Sequence, residues 1–371
     1  MPKALGIITP SANNMRVHGM NQFRPISAFS FLGRYRIVDF PVSNMSNSDI
    51  EHIQVFVSQN PRSLAEHLGT GRTYNINSKR GKLQLLFNQD SKVNEIYNTD
   101  IRAFADNMDQ IELAHEQYVI ITPGYMIFKE DYSEFLDEHI ASGADITLLY
   151  HKVDNADRSF RNCRKVSLNR QRGIKSIGWN DGSVADANIF MDTYVMTKDL
   201  FIKLIYKAQK ISSVYRLVDI INEENEDLDI RGIAHKGFFS AVTDFKSYFD
   251  ANLELLDFDK ATDLFTDDWP IYTVTTDACP VRYVKGSKVK NSVVANGCVI
   301  EGAIENSVIG RGVEIRKGAS VKNCVILGHA VIGEGVKLES QVVDKWAKVL
   351  NIKKIIAPLD NPGYVMRGDT L

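Results

Sequence analysis

Over the last quarter of the chain, apolar residues recur at spacings of five and six residues. The recurring positions are Cys298, Ile304, Ile309, Ile315, Val321, Ile326, Ile332, Leu338, Val343, Val349 and Ile355. From Ile304 onward, three successive spacings add up to 17 residues, and glycines fall mostly between the apolar positions. This cycle predicts coils of three short parallel strands joined by tight turns, stacked so that each coil buries its apolar side. We therefore predict a parallel β-helix over residues 285–371. A β-sandwich is disfavoured, because sandwich strands do not hold a fixed register of this kind.

Residues 1–257 follow a different pattern, in which short β-rich runs alternate with helical periodicity. The predicted strands are Ala4–Ile8, His52–Val57, Tyr118–Thr122, Asp145–His151 and Ile189–Met196, and the predicted helices are Ser63–Gly69, Ile101–His115 and Tyr132–Ser142. Such alternation predicts a mostly parallel sheet covered by helices, with ligands at the carboxyl ends of the strands. Between the two domains, residues 258–284 combine a polar acidic run with an extended segment, which predicts a linker.

Composition narrows the class of partner. The 371 residues carry a formal net charge of -2, so the electrostatic case for a nucleic-acid binder is absent. The four cysteines are scattered without the paired spacing of a zinc site. Pro10 ends the first apolar run after about five residues, and no run approaches the roughly 20 apolar residues of a membrane span. We therefore expect a cytoplasmic protein with no membrane partner.

Three motifs carry a resemblance to a known family. Residues 33–44 read GRYRIVDFPVSN and are followed by NSDI, residues 248–253 read YFDANL, and residues 269–271 read WPI. These segments resemble those of the ADP-glucose pyrophosphorylases (glucose-1-phosphate adenylyltransferases), and the resemblance spans nearly the whole chain. Enzymes of this family join glucose 1-phosphate to the adenylyl group of ATP with Mg²⁺ and release pyrophosphate. The resemblance implies a Rossmann-like nucleotidyltransferase domain followed by a left-handed parallel β-helix of hexapeptide-type repeats.

The groups that hold the triphosphate in this family are altered here. The family's glycine-rich phosphate loop corresponds to residues 9–18, which contain no glycine. Arg16 does not align with the loop arginine and could serve in its place only from a different position. Glycines let backbone N–H groups approach phosphates, so their loss removes that cradle. In the segment around Arg24 and Pro25, Ile26 stands where we expect the family's phosphate-binding lysine.

The family's metal and sugar-phosphate residues are altered as well. Tyr125 stands in place of the first metal-binding aspartate and Ala241 in place of the second, with Asp244 three residues further on. A neutral phenol is a poor Mg²⁺ ligand. The segment 176–181 lacks the lysine that holds glucose 1-phosphate, and the run 96–103 departs from the pattern near the base pocket.

Together these changes predict a non-catalytic or weakly active chain, because losing the metal ion alone lowers activity by orders of magnitude. The chain resembles the GlgD-type companion subunits of this family, through residues 24–36 and 63–71, with Ala28 as one departure. That resemblance implies a regulatory role in glycogen biosynthesis beside the catalytic subunit, GlgC. We expect no metal or cofactor on this chain and Mg²⁺ on the catalytic partner.

Three arginines are candidates for binding a phosphorylated effector: Arg24, Arg34 and Arg36. The resemblance implies that the arginines matching Arg24 and Arg36 line a regulatory anion site between the two domains. The alternative is that these arginines are solvated or paired with Asp39.

Two other functions remain open at this point. One is an active nucleotidyltransferase that uses Asp244, Asp100 or Asp192 as replacement metal ligands. The other is an acyltransferase-like β-helix protein. It is disfavoured because that class needs a catalytic histidine in its coils, and His329 is the only histidine in the predicted coils.

Overall fold

The computed structural model describes residues 3–10, 15, 17, 19–57, 60–77, 79, 81–87, 97–169, 171 and 173–371. In the first domain the strands are β1 (Ala4–Thr9), β2 (Ser30–Phe31), β3 (Tyr35–Arg36), β4 (His52–Val57), β5 (Lys82–Phe87), β6 (Tyr118–Pro123), β7 (Met126–Phe128), β8 (Ile146–Val153), β9 (Arg164–Leu168), β10 (Ile174–Trp179), β11 (Ala187–Thr197), β12 (Ile230–Ala234) and β13 (Phe239–Ala241). The helices are α1 (Asp39–Asn47), α2 (Arg62–Leu68), α3 (Asp100–Asp106), α4 (Met108–Glu112), α5 (Tyr132–Ser142), α6 (Lys198–Ile211), α7 (Leu217–Glu223), α8 (Phe245–Glu254) and α9 (Phe258–Leu264). Short 3₁₀ turns lie at Met20–Gln22, Ile26–Ala28, Arg72–Tyr74 and Glu224–Glu226.

The main sheet of the first domain is mixed, with a parallel centre. Its strands run in the order β10-β9-β11-β6-β1-β4-β5, and β8 joins β11 to β12. Strands β5, β4, β1 and β6 are parallel, whereas β11 runs antiparallel to both β6 and β8. The prediction of a mostly parallel sheet covered by helices is confirmed. Two small antiparallel pairs, β2 with β3 and β7 with β13, lie outside this sheet.

The boundaries of α5, and the break between α3 and α4, have local causes. Asp131 caps α5 by accepting hydrogen bonds from the N–H groups of Ser133 and Glu134, and Gly143 closes the helix in the left-handed region. The single helix predicted over Ile101–His115 is instead two helices, α3 and α4. They separate at Asn107, whose side-chain amide donates to the carbonyls of Ala103 and Phe87 at 3.0 and 3.2 Å.

Both faces of the sheet are buried. Along β1, Leu5 and Ile7 point into the core beneath α3, α6 and α7, while Ala4 and Ile8 point into the core on the opposite face. This alternation follows from the two-residue period of a strand.

Residues 282–365 form the predicted β-helix as three five-stranded parallel sheets. The first contains β14 (Arg282–Tyr283), β17 (Val299–Ile300), β20 (Glu314–Ile315), β23 (Val331–Ile332) and β26 (Lys348–Val349). The second contains β15 (Lys288–Lys290), β18 (Ala303–Glu305), β21 (Ser320–Lys322), β24 (Lys337–Glu339) and β27 (Lys354–Ile356). The third contains β16 (Val293–Val294), β19 (Val308–Ile309), β22 (Val325–Ile326), β25 (Gln341–Val343) and β28 (Gly363–Val365).

The register of the coils confirms the 17-residue cycle. Ile304 pairs with Val321, Val321 with Leu338, and Leu338 with Ile355, each 17 residues on. The coil before them is shorter, since Ile300 pairs with Ile315. Glycine is required between coils at Gly302, where an added Cβ would lie 2.4 Å from the carbonyl oxygen of Ala319. The architecture is that of a left-handed parallel β-helix of hexapeptide repeats.

The two domains share a hydrophobic core. Outward-facing valines of the third β-helix sheet, Val308, Val325 and Val342, are buried with residues of the first domain. The predicted linker 258–284 contains a helix, α9, which ends at Leu264. The Leu264 side chain has no exposed surface and packs in this shared core. It also contains β14, which already pairs with the next coil. Among the described residues, no helix is both long and apolar enough to span a bilayer.

Candidate functional site

The structure brings together the two positions where metal-binding aspartates were expected to be lost. Strands β7 and β13 pair so that Ala241 lies opposite Met126, and the N–H of Val242 donates to the carbonyl of Tyr125 at 2.9 Å. The side chains of Tyr125 and Ala241 are both buried. Neither side chain provides a carboxylate at the position where the family's metal ion is expected.

The Tyr125 hydroxyl instead donates a hydrogen bond to the carboxylate of Asp192 on β11. Burial raises the pKa of Asp192, and burial together with the charge of Asp192 raises the pKa of Tyr125 well above its usual range. The phenol is therefore protonated at neutral pH and acts as a donor. Asp192 adopts a positive φ of 46°, which is uncommon outside glycine, at an irregular point in the β11 register between Phe190 and Thr193.

The other two candidate replacement ligands are engaged in local structure. Asp244 caps α8, with Oδ1 accepting from the Ser247 N–H at 2.8 Å. Asp100 accepts from the N–H groups of Ile101 and Leu217 at 2.7 and 3.1 Å, and burial raises its pKa to about 6. In the part of the chain that the structure describes, no group of three or more His, Cys, Asp or Glu side chains is placed to hold a metal ion.

Much of the altered phosphate loop lies outside the described residues, including positions 11–14, 18 and Arg16. At its start, the carbonyl of Thr9 accepts a hydrogen bond from the N–H of Gly124 at 2.8 Å, directly before Tyr125. Ile26 lies in a 3₁₀ turn with no exposed surface and packs in the hydrophobic core. The nearest positive charge in sequence, Arg24, points toward the β-helix and pairs with Asp344 there.

The segments expected at the sugar-phosphate and base positions have structural roles. In the segment 176–181, Trp179 is about half exposed and is covered by the Arg164 guanidinium at 4.6 Å, while the Asn180 amide donates to the Ala156 carbonyl at 2.8 Å. In the run 96–103, Ile96 is outside the described residues and Thr99 caps α3.

A cleft of about 700 Å³ opens beside Ala241. Its cationic lining residues are Lys152, Arg158, Arg161, Lys246 and Lys260. Three of them are in ion pairs: Arg158 with Asp157, Lys246 with Asp250 and Lys260 with Glu254, which reduces the attraction of those three side chains for a phosphate.

A cationic group is assembled where the first domain meets the last coils of the β-helix. We call Arg24, Arg36, Lys345 and Arg367 the interface cluster. Burial, then the charges of Arg36 and Arg24, lower the pKa of Lys345 to about 7, and Arg367 acts in the same direction. Arg24 donates to Asp344 at 2.7 Å, yet its Nε and its second terminal nitrogen are buried without a partner among the described residues. Gathered like charges and unpartnered N–H groups are chemistry that favours an anion, so the interface cluster is a candidate anion site.

The three candidate arginines do not act as one set. Arg36 belongs to the interface cluster, and its guanidinium donates to the Ser63 carbonyl at 2.5 Å. Asp39 is bonded to the backbone N–H of Arg36, to His67 and to the Tyr74 hydroxyl, at 2.8, 2.6 and 2.6 Å. The predicted alternative, pairing with Asp39, is met by a hydrogen bond from the backbone of Arg36. Burial lowers the pKa of the Arg36 guanidinium, and the charge of Asp39 acts in the opposite direction. Arg34 is exposed and lines a separate cavity with Arg311.

Comparison with known proteins agrees with this fold. A family model for nucleotidyl transferases matches residues 15–160, and one for the GlmU-like C-terminal hexapeptide region matches residues 280–357. The glycogen biosynthesis protein GlgD of Geobacillus stearothermophilus is 32% identical over 325 residues, covering 86% of this chain and 83% of that protein. The chain belongs to the GlgD and glucose-1-phosphate adenylyltransferase family.

Two further members extend the similarity. GlgD of Bacillus subtilis is 27% identical over 366 residues, covering 98% of this chain and 96% of the relative. The glucose-1-phosphate adenylyltransferase of Clostridium perfringens is 29% identical over 310 residues, covering 82% and 78% of the two chains. The resemblance inferred from the motifs is confirmed.

Sequence reasoning missed Lys345 and Arg367, the two residues that the last coils of the β-helix contribute to the interface cluster. It also missed Asp344 and Tyr364 beside the cluster, where the Tyr364 hydroxyl donates to Asp344 at 2.8 Å. The relevant feature is the length of the final coil. In the structure Val342 pairs with Tyr364, 22 residues on, so this coil departs from the 17-residue cycle. That departure places Tyr364 and Arg367 against the first domain, where Arg367 lies over the Phe23 ring at 5.6 Å.

Proposed function

We propose that the chain is a regulatory subunit of glucose-1-phosphate adenylyltransferase in glycogen biosynthesis, with little or no catalytic activity of its own. The reaction joins ATP and glucose 1-phosphate to give ADP-glucose and pyrophosphate. The observation that carries the proposal is the pair of buried residues Tyr125 and Ala241 at the expected metal positions, with the Tyr125 hydroxyl bonded to Asp192. Two relatives are named for glycogen biosynthesis and a third for the adenylyltransferase reaction, which supports this role.

The isolated chain should have little activity because the residues at its expected metal positions are not groups that hold a divalent ion. A divalent ion offsets the negative charge that the triphosphate and the sugar phosphate bring together, and this is worth several kcal/mol in the transition state. A protonated phenol and a methyl group supply none of that stabilisation, so the isolated chain should be slower by orders of magnitude than a metal-bearing enzyme. Residues that could hold Mg²⁺ are expected on the catalytic partner, GlgC.

The interface cluster is the part of the chain that we assign to regulation. It joins side chains from both domains, and Arg24 keeps buried N–H groups without a partner among the described residues. A phosphorylated effector fits this chemistry because guanidinium groups bind phosphate oxygens in pairs. An anion bound there would contact both domains and so influence how the chain meets its partner.

The main experiment compares three samples: the purified chain, the catalytic subunit from the same organism, and their mixture. We expect the chain alone to give no Mg²⁺-dependent pyrophosphate exchange, and the mixture to differ from the catalytic subunit in rate or in effector dependence. Robust exchange by the isolated chain would overturn the proposal. A mixture that behaves as the catalytic subunit alone would overturn the regulatory assignment.

The effector assignment has its own test. Replacing Arg24 and Arg36 with alanine in the mixed enzyme should remove the response to phosphorylated effectors. Because Arg24→Ala leaves the buried Asp344 unpaired, a second variant, Arg36→Gln with Lys345→Gln, tests the same site without breaking that pair. Arg62→Gln is the control, since Arg62 is exposed and lies outside the cluster. An unchanged effector response in both cluster variants would end this assignment.

A further inference from the structure

One corner of the β-helix carries a column of residues in the left-handed conformation. Gly297, Gly312, His329, Trp346 and Gly368 occupy equivalent places in successive coils, with φ of 78°, 66°, 62°, 66° and 76°. Their hydrogen bonds show this equivalence, because the N–H of each of the last four donates to the carbonyl directly before the preceding member of the column. Glycine adopts this conformation without strain, whereas it is rare for a bulky residue such as tryptophan. The column therefore departs from the residue that its backbone favours at two adjacent coils.

The two side chains that replace glycine lie on one another. The imidazole of His329 and the indole of Trp346 are stacked, with centroids 4.2 Å apart and planes 11° apart. On its other side His329 lies over Gly312, where an added Cβ would be 2.7 Å from the imidazole Nδ1. Only a glycine at 312 leaves space for the histidine ring, so the coils are shaped around this pair. We call His329 and Trp346 the ring stack.

The outer face of the ring stack is open. Trp346 is 52% exposed although His329 covers one face of its indole, so the exposed surface belongs to the opposite face and the ring edge. The next member of the column, Gly368, has no side chain, and a Cβ built there would meet no atom of the described residues within 4 Å. The column thus leaves room for a further ring on the indole, at the place where another side chain would continue the stack.

The ring stack also has unused hydrogen-bonding groups. Both residues are exposed, and neither the imidazole nitrogens of His329 nor the indole N–H of Trp346 bond to any residue that the structure describes. A purely apolar partner would cover these groups without satisfying them, which is unfavourable. A ligand that suits this surface has a flat apolar face and hydroxyl groups around its edge. A pyranose ring has this form, since its C–H groups lie on its faces and its hydroxyls project from its rim.

We propose that the ring stack binds a carbohydrate chain, one pyranose ring of which packs on the outer face of Trp346. The exposed position suits a polymer better than a single sugar, because one stacking contact is weak and the many rings of a polymer raise the apparent affinity. The choice of an α-1,4-linked glucan rests on the proposed role in glycogen biosynthesis, whereas the stacking surface does not depend on that role. Binding here would keep the chain, and a catalytic partner with it, beside the growing polymer.

Affinity electrophoresis of the full isolated chain, in native gels with and without glycogen, tests this binding. We expect glycogen to retard the chain relative to serum albumin, and maltoheptaose added to the gel to restore its mobility. Polyethylene glycol at the same mass concentration has no sugar rings and should not retard the chain. A chain that glycogen does not retard, or that polyethylene glycol retards equally, would overturn the proposal. Because no catalytic subunit is present, such a failure concerns the glucan site alone and is distinguishable from failure of the mixed-enzyme experiment.

Substitutions assign the binding to the ring stack. Trp346→Gly should raise the dissociation constant for glycogen by roughly tenfold or more, since it removes the stacking surface. This variant should fold, because glycine fits the positive φ at 346 as it does elsewhere in the column. Trp346→Phe keeps an aromatic face, so its affinity should lie between those of wild type and Trp346→Gly.

Trp179→Ala is the matched control. Trp179 is 46% exposed and lies on the first domain beside the Arg164 guanidinium, so its removal takes away an aromatic surface of similar exposure away from the ring stack. We expect this variant to bind glycogen as the wild type does. Wild-type affinity in Trp346→Gly, or an equal loss of affinity in Trp179→Ala, would overturn the proposal.

Discussion

Arg24 and Asp344 form a buried ion pair that joins the two domains. Their nitrogen and oxygen atoms are 2.7 Å apart, their side chains are 2% and 0% exposed, and they lie 320 residues apart in the chain. Tyr364 donates to the other carboxylate oxygen at 2.8 Å. The pair holds the Arg24 guanidinium in the interface cluster while leaving two of its nitrogens without a partner among the described residues. One contact thus serves both the packing of the domains and the chemistry of the candidate anion site.

Removing one member of this pair should be costly. Asp344→Asn leaves the buried Arg24 guanidinium without its counter-charge, so we expect the free energy of unfolding to fall by about 3 kcal/mol. Urea denaturation followed by circular dichroism measures this change. Glu66→Gln is the control, because it breaks the exposed Arg62–Glu66 pair and should leave stability unaltered. Equal stability of the two variants would mean that Arg24 is not buried as the structure has it.

The carboxylates near the expected metal position should be dispensable for activity. Asp192→Asn and Asp244→Asn both keep the side-chain shape, and asparagine tolerates the positive φ at 192 and the helix cap at 244. We expect the Mg²⁺-dependent rate of the mixed enzyme to stay within about twofold of wild type, since neither carboxylate is expected to hold a metal. Tyr125→Phe is the matched variant, because it removes the hydrogen bond to Asp192 and keeps both carboxylates. A loss of about a hundredfold in Asp192→Asn but not in Tyr125→Phe would favour an active enzyme with replacement ligands.

The architecture was predictable from the sequence because its signals are local. The 17-residue recurrence that links Ile304 to Val321 gives the β-helix, and the alternation of short strands with helices gives the parallel centre of the sheet. Where a side chain competes with the backbone, the pattern was misleading: Asn107 divides a helix that periodicity presents as continuous. The helix α9 was also missed, since its polar, acidic composition conceals the burial of Leu264.

The candidate sites were only partly predictable, because they depend on contacts between distant segments. The motif comparison located Tyr125 and Ala241, but nothing in the pattern indicates that Tyr125 reaches Asp192 across an irregular strand. Arg34 and Arg36 are two residues apart, which suggests a shared face. The Leu32–Gly33 turn instead directs Arg34 to a different cavity from Arg36. Lys345 joins the interface cluster, and Asp344 reaches Arg24 beside it, only through the stacking of the last coils.

Lys345 should make stability depend on pH. Burial and the charges of Arg36 and Arg24 lower its pKa from 10.5 to about 7 in the folded chain. Between these values the unfolded chain holds a proton that the folded chain lacks, so stability should rise with pH above 7 by up to about 1 kcal/mol per pH unit. Below pH 7 both states hold the proton and this contribution to the slope disappears.

Urea denaturation at several pH values between 6 and 9 measures the slope, and Lys345→Gln identifies its source. The other groups of the cluster are the same in both proteins, so the difference between the two curves isolates Lys345. The variant should be more stable than wild type at pH 6 and should converge with it at higher pH. Parallel curves would show that Lys345 keeps an ordinary pKa.

The stability of the β-helix should be sensitive to the loss of side-chain volume on its inward face. Leu338 has no exposed surface and pairs with Val321 and Ile355 of the adjacent coils. Because stacked coils cannot collapse around a missing side chain, Leu338→Ala should lower the free energy of unfolding by about 2–5 kcal/mol. Ile356→Ala, on the neighbouring strand β27, removes an aliphatic side chain that is 44% exposed, and it should cost well under half as much. Thermal and urea denaturation of the two variants compare them directly. Similar losses would contradict the strand orientation in this sheet, since a shift of one residue would exchange the buried and exposed positions.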